Sequence, residues 1–153
     1  MRTFKDNAGR EWTVAVNVTT LKRVRDLLKE DLLEIETILP RLYADPVLLC
    51  DVVYCLCKPQ ADERQVTDEQ FGQAMAGDVL ADAQRALLEE LADFFQSPLQ
   101  RERMKKTVAL LGEITEREAR LAVERLDDPG LKQKFEKLFQ DHFARLAAAI
   151  DGG

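Results

Sequence analysis

Apolar and polar residues alternate near the start of the chain. Trp12, Val14, Val16 and Val18 interleave with Glu11, Thr13, Ala15 and Asn17. A period of two predicts a strand with one apolar face. The preceding Asp6-Asn7-Ala8-Gly9 has turn chemistry, with Gly9 free to adopt positive φ, so Arg2, Phe4 and their neighbours supply a short partner strand. Two strands alone are marginal in water, which requires the Trp12 face to lie on a helix.

From Leu21 the period lengthens. Leu21, Val24, Leu28 and Leu32 follow helical spacing behind Thr19 and Thr20 as capping residues, with Lys22, Arg23, Arg25 and Lys29 opposite. The apolar series runs on through Leu33, Ile35 and Leu39 to an expected interruption at Pro40. Asp45-Pro46 is a restart, a capping Asp followed by Pro at the first helical position. The helix 46–57 is apolar on nearly every side and is placed at the centre of the core, with Val47, Leu48, Leu49, Val52, Val53 and Leu56 buried. Residues 58–66, containing Pro59, read as a polar loop.

Thr67 and Gln70 have capping-box spacing and open a short helix with Phe71, Ala74 and Met75 inward. Gly77-Asp78 breaks the chain before a helix that runs to about Gln96. Its apolar side is Val79, Ala83, Ala86, Leu87, Leu91, Phe94 and Phe95. Ser97-Pro98-Leu99-Gln100 repeats the capping device and starts a helix over 98–126, about 42 Å long at 1.5 Å per residue. Its stripe of Met104, Val108, Leu111, Thr115, Ala119, Ala122 and Leu126 thins to small residues. After Asp127-Asp128-Pro129-Gly130 a last helix, 131–150, is expected to turn back, and 151–153 to fray.

The chain is therefore expected to be mainly α, an N-terminal β-hairpin followed by a helical bundle with a long C-terminal helical hairpin. Residues 1–96 would form the hairpin and helical core, and 97–153 the helical hairpin, packed into one domain.

Composition narrows the chemistry. The 153 residues are 46% hydrophobic and 33% charged, which excludes a wholly disordered or collagenous chain. Glycine is too scarce for a phosphate-cradling loop. The net charge of −6 is concentrated in 59–96, where Arg64 and Arg85 stand against nine carboxylates. Such acidity repels phosphate, so nucleic acid is not an expected partner. The longest apolar-rich stretch, 47–57, contains Asp51 and falls short of the ~20 residues a membrane span requires. The polar residues 1–10 do not read as a signal peptide, so a cytoplasmic location is expected. Cys50, Cys55 and Cys57 match no zinc spacing and read as reduced core thiols. His142 has no nucleophile or second ligand at helical spacing, and the acidic clusters lack calcium-loop spacing. No enzyme, cofactor or metal site is expected.

The sharper feature is Phe135, Phe139 and Phe143, an i, i+4, i+8 aromatic ladder continued by Leu146. Two amphipathic helices joined by a short break ordinarily pack together, so the ladder is expected mainly against helix 98–126. The facing stripe at Thr115, Ala119 and Ala122 is thin, however. Part of the ladder is then left for a partner helix, and Phe135, Phe139, Phe143 and Leu146 are the candidate partner-binding residues.

The order of segments also resembles a known family. The hairpin Thr3-Phe4-Lys5-Asp6-Asn7-Ala8-Gly9-Arg10-Glu11-Trp12-Thr13-Val14 leads into the basic Leu21-Lys22-Arg23-Val24-Arg25. Asp45-Pro46-Val47-Leu48-Leu49, Thr67-Asp68-Glu69-Gln70-Phe71-Gly72, Gly77-Asp78 and Glu89-Glu90-Leu91-Ala92-Asp93-Phe94-Phe95 follow. Over roughly residues 3–96 this pattern resembles phage tail assembly chaperones, small proteins encoded in prophage tail modules. The resemblance implies a mostly helical, non-enzymatic protein of the host cytoplasm. Such a protein binds the tape measure protein, keeps its hydrophobic helices soluble, and is displaced when tail tube protein polymerises around it. The C-terminal helices match only in being charged and helical. A phage structural factor that stays in the particle, such as a tail-completion or connector protein, is the alternative. Free apolar surface would also drive self-association into homo-oligomers at high concentration.

Overall fold

The computed structural model describes residues 1–152 and is mainly α-helical, with one antiparallel hairpin at its N-terminus. The elements are β1 (Arg2–Lys5), β2 (Glu11–Val14), α1 (Val18–Leu28), α2 (Ile35–Ala44), α3 (Pro46–Glu63), α4 (Asp68–Gln73), α5 (Asp78–Phe94), α6 (Pro98–Leu126) and α7 (Pro129–Asp151). They divide into two compact units, one over Met1–Gly112 and a second from Glu113 onward. The boundary falls inside α6, sixteen residues beyond the expected division at 96/97. Gly153, expected to fray, lies outside the described residues, whereas Asp151 is still helical.

The first unit is built around the hairpin turn. Phe4 pairs with Trp12 across β1 and β2, and both side chains are buried. Gly9 takes φ 79°, the left-handed region its turn position requires. The Asp6 carboxylate, itself buried, gathers four donors. Oδ1 accepts from the Ala8 and Arg10 backbone N–H groups, each at 2.9 Å, and Oδ2 from Arg10 Nε and Trp12 Nε1, each at 2.8 Å. Burial pushes the Asp6 carboxyl up, but the Trp12 and Arg10 hydrogen bonds outweigh it and hold the group below its ordinary value.

The open edge of β2 is closed by side chains from α3. Gln60 Nε2 donates to the Thr13 carbonyl at 2.7 Å, and its Oε1 accepts from the Thr13 N–H at 2.9 Å. The amide thus takes the place of a third strand's backbone. Arg64 donates to the Glu11 carbonyl and lies 4.8 Å from the centre of the Trp12 ring.

As expected, α3 is the central helix, packing on α1, α2, α4, α5 and β2. Leu48, Leu49, Val52, Val53 and Leu56 are buried; Val47, on the outer side of the first turn, is exposed, contrary to expectation. Asp45 caps the helix, its side chain accepting from the Val47 and Leu48 N–H groups. Three further boundaries differ from the sequence expectation, each for an identifiable reason. Pro59 does not end α3. The Cys55 carbonyl, which a residue-59 N–H would have satisfied, instead accepts from Arg23 Nη1 at 3.0 Å. The helix stops at Glu63, where Gln65 adopts φ 55° and the Val66 N–H returns to the Ala61 carbonyl at 2.8 Å, a Schellman closure made without glycine.

Pro40 likewise sits inside α2, in its second turn, where the carbonyl it deprives belongs to Glu36, an exposed residue near the start of the helix. The apolar series that was expected to run up to Pro40 is split before it: α1 ends at Leu28 with Lys29 in the left-handed region, and α2 begins at Ile35. Finally, β2 ends at Val14, and Val18 opens α1 exposed instead of extending the strand's apolar face. The cap there is Asn17 in a reciprocal box with Thr20, not Thr19 or Thr20 alone.

The Thr67–Gln70 box forms as expected, with Phe71, Ala74 and Met75 buried behind it. Phe71 stands edge-on to Trp12 at 5.0 Å between ring centres. α5 buries Val79, Ala83, Ala86, Leu87 and Leu91 and lies over β1. The early part of α6 belongs to this unit through Met104, which is buried, and through Val108, whose carbonyl accepts from Tyr43 Oη at 3.2 Å.

Candidate partner-binding face

The second unit is built differently: it has no buried core. Among its described residues only Leu131 is half-buried, and the rest are exposed. α7 nonetheless starts well. Pro129 occupies the first turn, and Asp128 caps it by accepting from the Gly130 N–H at 3.0 Å. The cap and pre-set φ place the helix start two residues earlier than the spacing suggested.

All four candidate residues lie on this helix, and all are exposed. Phe135 is 44% accessible, Phe139 61% and Phe143 64%, with Leu146 also open. The expected packing of the ladder against helix 98–126 is therefore not found. The distal α6 residues Thr115, Ala119 and Ala122 are exposed as well, and this part of α6 does not pack along α7. The cause is legible in the side chains: a stripe reduced to Thr and Ala offers little area to three Phe rings.

The angular arrangement can be worked out from the 100° turn per residue. Each i, i+4 step advances 40°, so the ladder winds around α7 and does not form a straight seam. A straighter line is Phe135, Phe139, His142 and Leu146, spaced 4-3-4. Leu131 and Leu138 flank it on one side, Phe143 and Ile150 on the other, giving a stripe over roughly 140° of the circumference that is apolar apart from His142 and, near the start of the helix, Lys132. Gln133, Lys137, Gln140 and Asp141 occupy the opposite face. The sequence spacing already places Leu131, Leu138, His142 and Ile150 on one stripe with the four candidate residues; what it left out of the partner-binding set is the straighter 4-3-4 line through His142.

The first unit also exposes apolar side chains, among them Val47, Leu99 and Leu110, and carries shallow grooves. A groove of about 400 Å³ beside the start of α2, lined by Leu33, Ile35, Phe95 and Met104 among others, is bridged by an Arg103–Glu36 ion pair. The acidic segment is partly engaged internally: Glu89, Glu90 and Asp93 all meet Arg2. The thiols are withdrawn. Burial pushes Cys57 up to about 12, and burial with the charges of Asp51 and Asp68 pushes Cys50 to about 11. Among the described residues no group of three or more His, Cys, Asp or Glu side chains could hold a metal ion, and no helix is long and apolar enough to cross a membrane. What the α7 arrangement can do chemically is remove apolar surface from water when another helix covers it.

Comparison with protein-family models, curated proteins and solved structures finds no match.

Proposed function

We propose that this protein is a non-enzymatic phage tail assembly chaperone that binds the tape measure protein through α7. The observation that carries the proposal is the exposure of Phe139 and Phe143 on a long helix with no core of its own. The resemblance of residues 3–96 to that family supplies the identity of the partner. The wide apolar stripe on α7 fits helix-to-helix recognition, in which an amphipathic partner is held by anchors at helical spacing.

The mechanism is mass action. An exposed tape measure helix is covered by the Phe135–Leu146 stripe, which lowers the concentration of free, aggregation-prone chain. Tail tube protein then competes for the same helix as it polymerises, and the chaperone is released into the host cytoplasm. No nucleotide step is required, because the free energy of tube assembly drives the displacement.

Co-expression with a tape measure protein tests this. The wild-type chain is expected to keep the tape measure protein in the supernatant, and the Phe139→Ser/Phe143→Ser variant to lose that effect. If the wild type has no effect on tape measure solubility, the chaperone assignment is wrong. Recovery of the protein in purified particles would instead identify a tail-completion or connector component.

A further inference from the structure

We infer that α7 is also a self-association element, pairing antiparallel with α7 of a second copy of this chain. The inference rests on the exposed stripe alone and stands apart from the chaperone proposal.

Area comes first. Besides the three Phe residues, Leu138 is 65% accessible, Leu146 47% and Ile150 78%. At ~150–250 Å² for a full side chain of this size, the six expose roughly 600–700 Å² in each copy. Two copies would bury roughly 1,300 Å², inside the ~1,200–2,000 Å² range of specific protein interfaces. A helix of 23 residues with no buried side chain gains nothing from tertiary packing, so covering this stripe is also what would stabilise the helix itself.

Self-pairing needs one surface to complement itself, and the 4-3-4 seam does so in one orientation. A two-fold axis between positions 140 and 141 sets Phe135 against Leu146 of the other copy, and Phe139 against His142. Each layer then joins a large side chain to a smaller one. The charges favour the same orientation. Lys132, Lys134 and Lys137 against Glu136 make the first half of α7 net positive, whereas Asp141 and Asp151 against Arg145 make the second half net negative. Antiparallel pairing brings the two halves together, and parallel pairing stacks lysines on lysines and His142 on His142. It also opposes the two helix dipoles.

If the chaperone proposal also holds, the pair is the resting state that a tape measure helix must displace. The two ideas fail separately, since a chain that never dimerises can still solubilise a tape measure protein.

The test is sedimentation equilibrium on the full chain without any partner. The expected result is a concentration-dependent species of twice 17.4 kDa. Phe139→Asp should abolish it, while Gln140→Asp, the same one-unit change of charge on the opposite face, should leave it in place. His142→Leu should tighten association, because an imidazole is replaced by an aliphatic group in the Phe139 layer. In a Cys50→Ser background, oxidation of the Phe135→Cys/Leu146→Cys variant should give a covalent dimer, and Phe135→Cys alone should not. A monomer at every soluble concentration would overturn the inference. So would a dimer that survives Phe139→Asp, no tightening with His142→Leu, or cross-linking by Phe135→Cys alone.

Discussion

Replacing Asp6 by Ala removes the single acceptor on which the hairpin turn converges. Four donors lose their partner at once: two turn amides, the Arg10 guanidinium and the Trp12 indole N–H. Hydrogen bonds to a charged group are worth ~1.5–3 kcal/mol each, but they do not add here. The turn amides and the partly exposed guanidinium can rehydrate. The indole cannot, because Trp12 is fully buried and its N–H would be left unpaired in the core. A loss of ~3–5 kcal/mol follows, close to that of breaking a buried pair. It would lower the melting temperature by roughly 10–20 °C in a unit of this size. Asp6→Asn keeps one acceptor oxygen and should lose less.

Trp12 is the only tryptophan, so its fluorescence during urea unfolding reports this unit alone. The pH dependence has a definite sign. The folded-state value of Asp6 is depressed, so its contribution is complete above the ordinary carboxylate range and is lost as pH falls through the lower folded value. An Asp6→Ala chain within ~0.5 kcal/mol of wild type would refute the idea that this carboxylate organises the hairpin.

Other perturbations separate core from surface. Leu49→Ala, in the middle of α3, should cost ~2–5 kcal/mol in the same urea titration. Arg2→Met should cost ~1–3 kcal/mol: the contacts to solvent-exposed Glu89 and Asp93 contribute little and weaken with salt, whereas buried Glu90 keeps only the Met1 ammonium. With Cys57 at about 12 and Cys50 at about 11, native thiols should react slowly with a disulfide reagent at neutral pH, and all three should titrate rapidly once the chain is unfolded.

The first unit was largely legible because its signals are local. Asp45-Pro46, Thr67 with Gln70, and Gly9 each fix a backbone geometry within four residues, and each appears where expected. Pro40 and Pro59 lie inside helices against the local signal, for the complementary reason. Whether proline breaks a helix depends on who satisfies the carbonyl four residues earlier, and for Pro59 that partner, Arg23, lies 36 residues away in sequence. The Gln65 closure of α3 and the Lys29 end of α1 use left-handed residues that are not glycine, so composition gave no warning. Asp6 looked like an ordinary turn residue, and its role depends on the indole of Trp12 arriving across the hairpin. The α7 ladder was visible as a stripe. What covers such a stripe is decided by the opposing surface, and the thinning of α6 to Thr115, Ala119 and Ala122 was the decisive clue.

The central claim is that the ladder is surface kept for a partner and not core. The most direct measurement is the urea transition of the Phe139→Ser/Phe143→Ser chain beside wild type, followed by Trp12 fluorescence for the first unit and by far-UV circular dichroism for the helices, α7 included. With both signals a midpoint and slope that match wild type to within ~0.5 kcal/mol are expected, because both rings are more than half exposed and α7 has no buried side chain. A loss of several kcal/mol, as buried Phe truncations produce, would place the ladder in the core and contradict the claim.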